Sequence, residues 1–362
     1  MNSIIIVGAG PAGATCADIL AKNGFPVIII EKEKLPRYKP CGGAIPKEMI
    51  KEFNIPSLII QRYFNSLILH HVEENVTLER KGEGAVLWRS DLDNYLTQRA
   101  CNNGAILENA TEVLNITKEE NKFHINTNKG IFKSNWLIAA DGANSTVLRS
   151  FKWKKFAPDE IALTITHEIE LTKDIIDERL GKDSLHIYFG KKLIGIGYGW
   201  IFPKKQIVSV GWGCQLNDVR NSSGQFQEFL DLIHDKIKGG KYIRKAAHLV
   251  PVKVRPFYRE QIIVVGDAAG FVDPLSGKGI IYAALSGLLA AQTLKRTIDK
   301  NIVEDFEQLY KKSLNQAFLK VLIAKRNIQQ DVYGSNENIL RFMKLWQNHR
   351  STEIALTLWN KS

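Results

Sequence analysis

Ser3-Ile-Ile-Ile-Val-Gly-Ala-Gly-Pro-Ala-Gly-Ala-Thr-Cys-Ala-Asp-Ile-Leu-Ala-Lys-Asn-Gly-Phe-Pro-Val-Ile-Ile-Ile-Glu31 is the stretch whose reading decides the fold. Its apolar run from Ile4 to Val7 reads as a strand buried on both faces. Gly8, Gly10 and Gly13 follow at G-x-G-x-x-G spacing, and residues 11–22 read as a helix whose first turn holds Pro11 and Ala12. The first glycine allows a tight turn, the second lets backbone approach a pyrophosphate, and the third lets the helix pack closely on the strand. Backbone N–H groups at the helix start then face phosphate oxygens. A second buried strand, Val27 to Ile30, ends at Glu31, whose carboxylate can accept hydrogen bonds from both hydroxyls of a ribose. A lone G-x-G-x-x-G is a weak signal, but strand, helix, strand and acid arriving in order are specific. An α/β fold that holds an adenosine-diphosphate moiety is expected.

Working outward, 362 residues suffice for about two domains of ordinary size. The 44% apolar and 24% charged content is that of a globular chain without low-complexity tracts. The opening has no basic prelude or cleavage site, so no secretory leader is expected. No apolar run reaches the roughly eighteen residues of a membrane span. Cys16, Cys41, Cys101 and Cys214 show no paired spacing, which argues against a disulfide frame or a metal site and for a reducing cytosol. The net charge of +11 is spread rather than striped, and no nucleic-acid module is visible. Nucleic acid is therefore not an expected partner. An anionic membrane or diphosphate competes with a plainly Lys-rich composition.

Along the chain, the loop from Lys32 to Ala44 holds two prolines, Cys41 and the pair Gly42-Gly43, so it reads as a fixed irregular connector. Those glycines let backbone lie flat against a ring. Cys41 between Pro40 and Gly42 reads as a site residue, whereas Cys16 and Cys101 read as small packed hydrophobes. A short helix over 46–53 is expected, then strands over 63–71, 76–80 and 84–88 with turns at Glu73-Glu-Asn75 and Lys81-Gly-Glu83. A helix then starts with Ser90 as N-cap. Arg89 at that junction reads either as a contact to phosphate or flavin edge or as a surface ion pair. A meander over 110–118, 121–127 and 130–138 follows, and Trp136-Leu-Ile-Ala-Ala-Asp-Gly142 is a second buried strand that stops at an acid and a glycine.

Residues 160–250 change character, with strands at 161–170, 184–188, 194–202 and 206–213 and an amphipathic helix near 224–238, as in a mostly antiparallel second domain. Alternation sets Tyr198, Trp200 and Phe202 on one face of Tyr198-Gly-Trp-Ile-Phe-Pro203, as a ligand wall or as an aromatic core stripe. Farther on, a strand ends in Gly266-Asp267 and a long helix runs from about Lys278 to Ile298. Its positive N-terminus suits the negative charge of a reduced flavin ring, and Asp267 is placed for ribityl hydroxyls. Residues 302–348 read as helical, with Ile339, Phe342, Met343 and Trp346 on one face that suits either a membrane interface or the core.

Three separated motifs now match one superfamily in order, and the subfamily signals among the residues are Pro40-Cys-Gly-Gly43, the Tyr198-x-Trp200-x-Phe202-Pro203 strand with Gly211-x-Gly213, and Gly266-Asp-Ala-Ala-Gly-Phe-Val-Asp-Pro274 leading to Gly277-Lys-Gly279. The chain resembles the FAD-dependent hydroxylase-like flavoproteins and, within them, the geranylgeranyl reductase family. The resemblance implies a Rossmann-like FAD-binding domain of the p-hydroxybenzoate hydroxylase type over 1–60, 88–158 and 252–315, a mostly antiparallel substrate domain over 61–87 and 159–251, and a helical C-terminal region over 316–362. It implies FAD with adenine ribose on Glu31, pyrophosphate over Gly8 to Gly13, and flavin near Cys41 to Ala44 and Gly277 to Ile280. Lys32, Arg89, Val113, Asp141, Gly142, Gly266 and Gly279 complete the expected cofactor set. Tyr198, Trp200, Phe202, Gly211 and Gly213 would line a substrate tunnel, with Cys41 as the candidate catalytic residue.

The implied reaction is saturation of carbon–carbon double bonds of geranylgeranyl chains on diphosphates, lipids, chlorophyll precursors or quinones by hydride from reduced flavin. An isolated alkene accepts hydride poorly, so protonation first builds tertiary cation character. Aromatic faces stabilise such a cation by about 1–2 kcal/mol per desolvated ring. Tyr198 and Trp200 are candidates and Trp212 a weaker one; the sequence names no proton donor. No second G-x-G-x-x-G appears, so the reductant is NAD(P)H bound transiently or a small electron-carrier protein. The expected setting is cytoplasmic, peripheral to an anionic membrane. An oxygen-using monooxygenase or halogenase of the same fold, and a non-catalytic FAD-holding adaptor, are the rival readings.

Overall fold

Four branched apolar residues make Ile4–Val7 a strand with every side chain buried, and it pairs in parallel with Val27–Ile30 on one side and Trp136–Ala139 on the other. The computed structural model describes residues 3–348 and divides the chain into two units, Met1–Tyr38, Ser90–Phe156 and Pro251–Ile323 against Lys39–Arg89, Ala157–Val250 and Ala324–Ser362.

In the first unit the sheet has six strands in the order Tyr258–Arg259, Ile262–Val264, Trp136–Ala139, Ile4–Val7, Val27–Ile30 and Ile106–Glu108. All pair in parallel except the two-residue edge strand Tyr258–Arg259, which is antiparallel. Helices Pro11–Lys22 and Ile280–Asp299 cover it. They cross closely because Gly287 has no side chain, and a methyl there would collide with the carbonyl of Ala12. A three-stranded antiparallel meander, Val113–Glu119, Lys122–Thr127 and Gly130–Ser134, lies in the same unit. Helix Phe306–Ala317 buries Phe306, Tyr310 and Leu314, each contributing about 2 kcal/mol by removal from water. The Tyr310 hydroxyl donates to the Ser286 carbonyl at 3.2 Å.

The second unit holds an eight-stranded sheet in the order Lys241–Pro251, Ile161–Glu170, Ile207–Gln215, Gly197–Pro203, Ser184–Phe189, Ile60–His71, Val76–Leu87 and Ala44–Pro46. The pair Ser184–Phe189 with Ile60–His71 is parallel, while the other registered pairs are antiparallel. Helix Ser222–Leu232 packs Phe226, Phe229 and Leu230 over Ile201, Val210 and Trp212. The helix Asn336–Asn348 turns Ile339, Phe342, Met343 and Trp346 inward, with Phe342 and Trp346 against Phe189 and Arg80 Nε donating to the Trp346 carbonyl at 2.8 Å. Of its two readings, this face takes the core.

Several local expectations differ from the structure. Lys81-Gly-Glu83 makes no turn: Val76–Leu87 is one strand, with a register shift opposite Phe64 and Ser66. A methyl on Gly84 would meet both the Ile45 carbonyl and the Phe64 ring, so that glycine marks close approach rather than reversal. The helix after Trp88 begins at Arg89, and the Ser90 hydroxyl reaches Asp91 at 3.2 Å from inside the first turn. The helix near 224–238 breaks at Ile233 into Ser222–Leu232 and His234–Ile237. Strand 130–138 divides, because Trp136–Ala139 joins the parallel sheet and Gly130–Ser134 stays in the meander. Residues 39–60 group with the second unit because Ala44–Pro46 pairs with Val76–Leu87, and the C-terminal helices divide between the units rather than standing apart.

Candidate active site

In the first unit the chain leaves Ile4–Val7 through Gly8, whose φ of +105° is one that side chains resist. A methyl at Gly8 would strike the Ala140 carbonyl, and one at Gly13 would strike the carbonyl of Gly8. Helix Pro11–Lys22 starts from Gly10 with no side-chain cap. Pro11 has no N–H to satisfy, and the amides behind it are open to an anion. Glu31 is 4% exposed, and its Oε2 accepts the Ala9 N–H at 2.8 Å. Its Oε1 accepts the Glu33 N–H at 3.1 Å and lies 3.4 Å from Arg37 Nε. Arg37 also donates to Asp93 Oδ2 at 3.0 Å, so a loop residue to which the sequence gives no role fixes the acid's orientation. The Thr111 N–H donates to the Glu31 carbonyl at 2.8 Å, which brings buried Val113 into the same neighbourhood; Lys32 is exposed.

Two further strand ends contribute. After Trp136–Ala139, Asp141 Oδ2 accepts the Val147 N–H at 3.1 Å, while its Oδ1 is buried without a partner. Burial pushes this carboxyl above its usual range, against the opposing hydrogen bonds of Ser145 and Val147. Gly142 follows with φ +79°. After Ile262–Val264, Gly266 takes φ +58° and its N–H donates to Ser286 Oγ at 2.9 Å. Gly277 has φ +64°, and Gly279 starts the helix Ile280–Asp299 with no side-chain cap. The Asp267 carboxylate stands at that helix start, 3.6 Å from where a Gly279 methyl would be. Two uncapped helix N-termini, glycines cleared for close approach and a buried acid after the second strand fit a dinucleotide.

The second unit assembles a different set. Tyr198, Trp200 and Phe202 line one face of Gly197–Pro203, with successive ring centroids 5.8 and 6.4 Å apart. On the neighbouring strand, any side chain at Gly211 would occupy the space of the Trp200 indole, and a methyl at Gly213 would come within 3.7 Å of the same ring. These glycines make the bed on which Trp200 lies. Trp212 points to the opposite face and is wholly buried in the apolar core, so it leaves the list of ring candidates. Gly42 lies against Phe202, where a methyl would strike the ring. Gly43, at φ +78°, accepts the Leu87 N–H at 3.0 Å. The Gly43 N–H points at Cys41 Sγ from 3.4 Å, and Ala44 begins the strand that pairs with Val86. Arg89, only 6% exposed, is no surface ion pair.

Sequence reasoning overlooks Lys204 and Glu168. Lys204 is 1% exposed, with Nζ 3.5 Å from Glu168 Oε2 and 4.1 Å above the centroid of the Trp88 ring. Ser209 Oγ donates to Glu168 Oε1 at 3.2 Å and lies 3.5 Å from the Cys41 carbonyl. Burial pulls the Lys204 ammonium below its ordinary value, against the opposing charge of Glu168. A lysine after Phe202-Pro203 in a hairpin turn reads as surface charge; only the register of strands Ile161–Glu170 and Ile207–Gln215, which sets Glu168 opposite Ser209, reveals the cluster.

The expected site residues thus fall in two sets. Gly8, Gly10, Pro11, Ala12, Gly13, Glu31, Lys32, Val113, Asp141, Gly142, Gly266, Asp267, Gly277, Gly279 and Ile280 belong to the first unit. Cys41, Gly42, Gly43, Ala44, Arg89, Tyr198, Trp200, Phe202, Gly211 and Gly213 belong to the second. Among the described residues no helix is long and apolar enough to cross a membrane.

The family described as FAD binding domain matches residues 1–284. Geranylgeranyl diphosphate reductase of tobacco (Nicotiana tabacum) is 32% identical, over 86% of this chain and 71% of that protein. Digeranylgeranylglycerophospholipid reductase of Methanocaldococcus jannaschii is 29% identical, over 82% and 78%. Among solved structures, a geranylgeranyl bacteriochlorophyll reductase-like protein of Thermoplasma acidophilum superposes with a TM-score of 0.88 at 25% identity, covering 98% of this chain and 95% of that one. The flavin-dependent brominase Bmp2, at 17% identity and a TM-score of 0.75 over 93% of this chain and 89% of its own, shares the fold. The chain belongs to the FAD-binding domain family and, within it, to the geranylgeranyl reductases, and is an FAD-dependent oxidoreductase.

Proposed function

We propose, from that membership, that the protein saturates carbon–carbon double bonds of a geranylgeranyl chain carried on an anionic head group, a diphosphate or a glycerophospholipid. The observation that carries this reading is the row Tyr198, Trp200 and Phe202, with Trp200 seated on Gly211. Three aromatic faces in a row give an apolar chain a surface, and each contributes about 1–2 kcal/mol to cation character at a protonated alkene. The net charge of +11 favours an anionic head group over a neutral one.

FAD, when bound and reduced, supplies the hydride. The chain's own residues do the rest in this reading. The first turn of helix Pro11–Lys22 binds the pyrophosphate, Glu31 orients the ribose, and Asp141, Asp267 and the start of helix Ile280–Asp299 hold the flavin half. Cys41, whose Sγ faces the Gly43 N–H, positions the substrate chain. The rings of Trp200 and Phe202 exclude water. Electrons come from NAD(P)H or a small electron-carrier protein, because one nucleotide motif serves FAD alone. We place the enzyme at the cytoplasmic surface of an anionic membrane, as its basic charge suits.

The test is anaerobic incubation of the yellow protein and a reductant with geranylgeranyl diphosphate, digeranylgeranylglycerophospholipid and geranylgeraniol in parallel. The expected product from an anionic substrate gains two hydrogens per bond. Reduction of the neutral alcohol alone contradicts the head-group assignment. Absence of hydrogen gain, or insertion of oxygen or halide in air, contradicts the reductase reading.

A further inference from the structure

Strand Lys241–Pro251 stands at the edge of the eight-stranded sheet, and its first five residues, Lys241-Tyr-Ile-Arg-Lys245, are all exposed. With Lys236 and Lys238 just before them, residues 236–245 hold five cations and no acid, with Asp235 preceding the run. Lysines on an edge strand ordinarily guard it against pairing with another chain. A guard needs no apolar side chains, yet Tyr242 is 56% and Ile243 48% exposed between the cations. Alternation sends these two to opposite faces of the strand, so an apolar side chain flanks the edge on each side. The Tyr242 ring is seated, edge-on to His167 at 5.4 Å, and His167 is edge-on to Phe226 at 4.7 Å. Cations around an exposed tyrosine and an exposed isoleucine complement a surface that is anionic outside and apolar beneath, where tyrosine rings are favoured. A soluble polyanion would match the charge and leave Ile243 in water.

We propose that residues 236–245 are the surface by which the protein docks on an anionic lipid bilayer. This rests on the membrane placement under the proposed function and assigns it to named residues. The ammonium groups of Lys238, Lys241 and Lys245 meet lipid phosphates, and Tyr242 and Ile243 enter the head-group layer. An open sheet edge goes no deeper, because hydrocarbon offers nothing to its N–H and C=O groups, whereas phosphate and water satisfy them at the interface. Insertion is therefore shallow, and its strength scales with the buried apolar area plus attraction to anionic lipid. The aromatic strand Gly197–Pro203 is the fourth strand of the same sheet counted from this edge, roughly 14 Å in at ordinary strand spacing. Docking thus sets the sheet that carries Tyr198, Trp200 and Phe202 beside the bilayer, where a geranylgeranyl lipid resides.

The experiment needs no isoprenoid, so its failure is distinct from failure of the substrate reading. The yellow holoprotein is co-sedimented with phosphatidylcholine vesicles, with and without phosphatidylglycerol as about a third of the lipid. Binding to the anionic vesicles alone is the expected result. Each cation near such a surface is worth about fivefold in affinity, so Lys238→Gln/Lys241→Gln/Lys245→Gln weakens binding about a hundredfold. Lys311→Gln/Lys312→Gln/Lys320→Gln removes the same net charge from exposed lysines of helices Phe306–Ala317 and Leu319–Val332, and its affinity stays within about threefold of wild type because distant charges are screened. Tyr242→Ser/Ile243→Ser weakens binding about tenfold, in high salt as well as low. Yellow colour and melting temperature check that each variant folds. Equal losses in the two lysine triples overturn the assignment. Binding indifferent to Tyr242 and Ile243, as on a surface built for a soluble polyanion such as RNA, overturns it too. A wild-type protein that binds neither vesicle overturns it together with the membrane placement.

Discussion

Replacing Glu31 by Ala tests the cradle most sharply. Its carboxylate accepts the Ala9 N–H at 2.8 Å and the Glu33 N–H at 3.1 Å. It also shares Arg37 with Asp93. Truncation leaves the buried Ala9 N–H without its acceptor, at about 1–3 kcal/mol. The ribose loses charge-assisted hydrogen bonds worth about 1.5–3 kcal/mol each. Because tenfold in affinity is about 1.4 kcal/mol, a ribose held by two such bonds loses affinity by about a hundredfold or more. Glu31→Gln keeps one acceptor oxygen and lies between. The assay is titration of the apoprotein with FAD by flavin fluorescence quenching, with melting of apo and holo forms alongside. The apo form melts lower by a few degrees, and the stabilisation that FAD confers shrinks with its affinity. Wild-type FAD affinity in Glu31→Ala would refute the cradle as drawn.

Gly13→Ala forces helix Pro11–Lys22 away from the Gly8 carbonyl; overpacking against stiff backbone costs about 1–3 kcal/mol, and purified protein with little yellow colour is the expected result. Gly211→Ala displaces the Trp200 ring on its bed, so FAD content stays near wild type while turnover falls about tenfold or more; unchanged turnover would remove Trp200 from the site. Burial depresses His70 to about 3 and its hydrogen-bonded neighbour His186 to about 4. Both folded values lie below the unfolded one near 6.5, so the unfolded chain gains protons first as pH falls, and stability present above pH 6.5 is lost on the way to pH 4. One imidazole accounts for about 2 kcal/mol by pH 4.5, so His186→Asn should flatten that part of a melting-temperature profile; an unaltered slope refutes it.

The parallel sheet could be read directly from the sequence because Ile4–Val7 and Val27–Ile30 are unbroken branched runs bracketing a glycine motif, a pattern with few other solutions. The same glycine logic misleads at Lys81-Gly-Glu83, where Gly84 marks the crowding of Ile45 and Phe64 around a continuous strand. Strand Lys241–Pro251 escaped notice because five exposed residues open it and no two-residue alternation survives. The aromatic face followed from simple alternation, but the purpose of Gly211 needed the neighbouring Trp200 indole. Lys204 was invisible for a physical reason: nothing local distinguishes a lysine in a turn from one buried by a distant strand, and Glu168, 36 residues earlier in the chain, supplies that burial partner only through sheet register.

The most direct measurement of the central claim is single-turnover reoxidation. The holoprotein is reduced without oxygen and mixed with geranylgeranyl diphosphate or digeranylgeranylglycerophospholipid while flavin absorbance is followed. Return of the oxidised spectrum in step with a product two hydrogens heavier is the predicted result. A flavin that stays reduced with every geranylgeranyl substrate and reoxidises only when oxygen is admitted would contradict it.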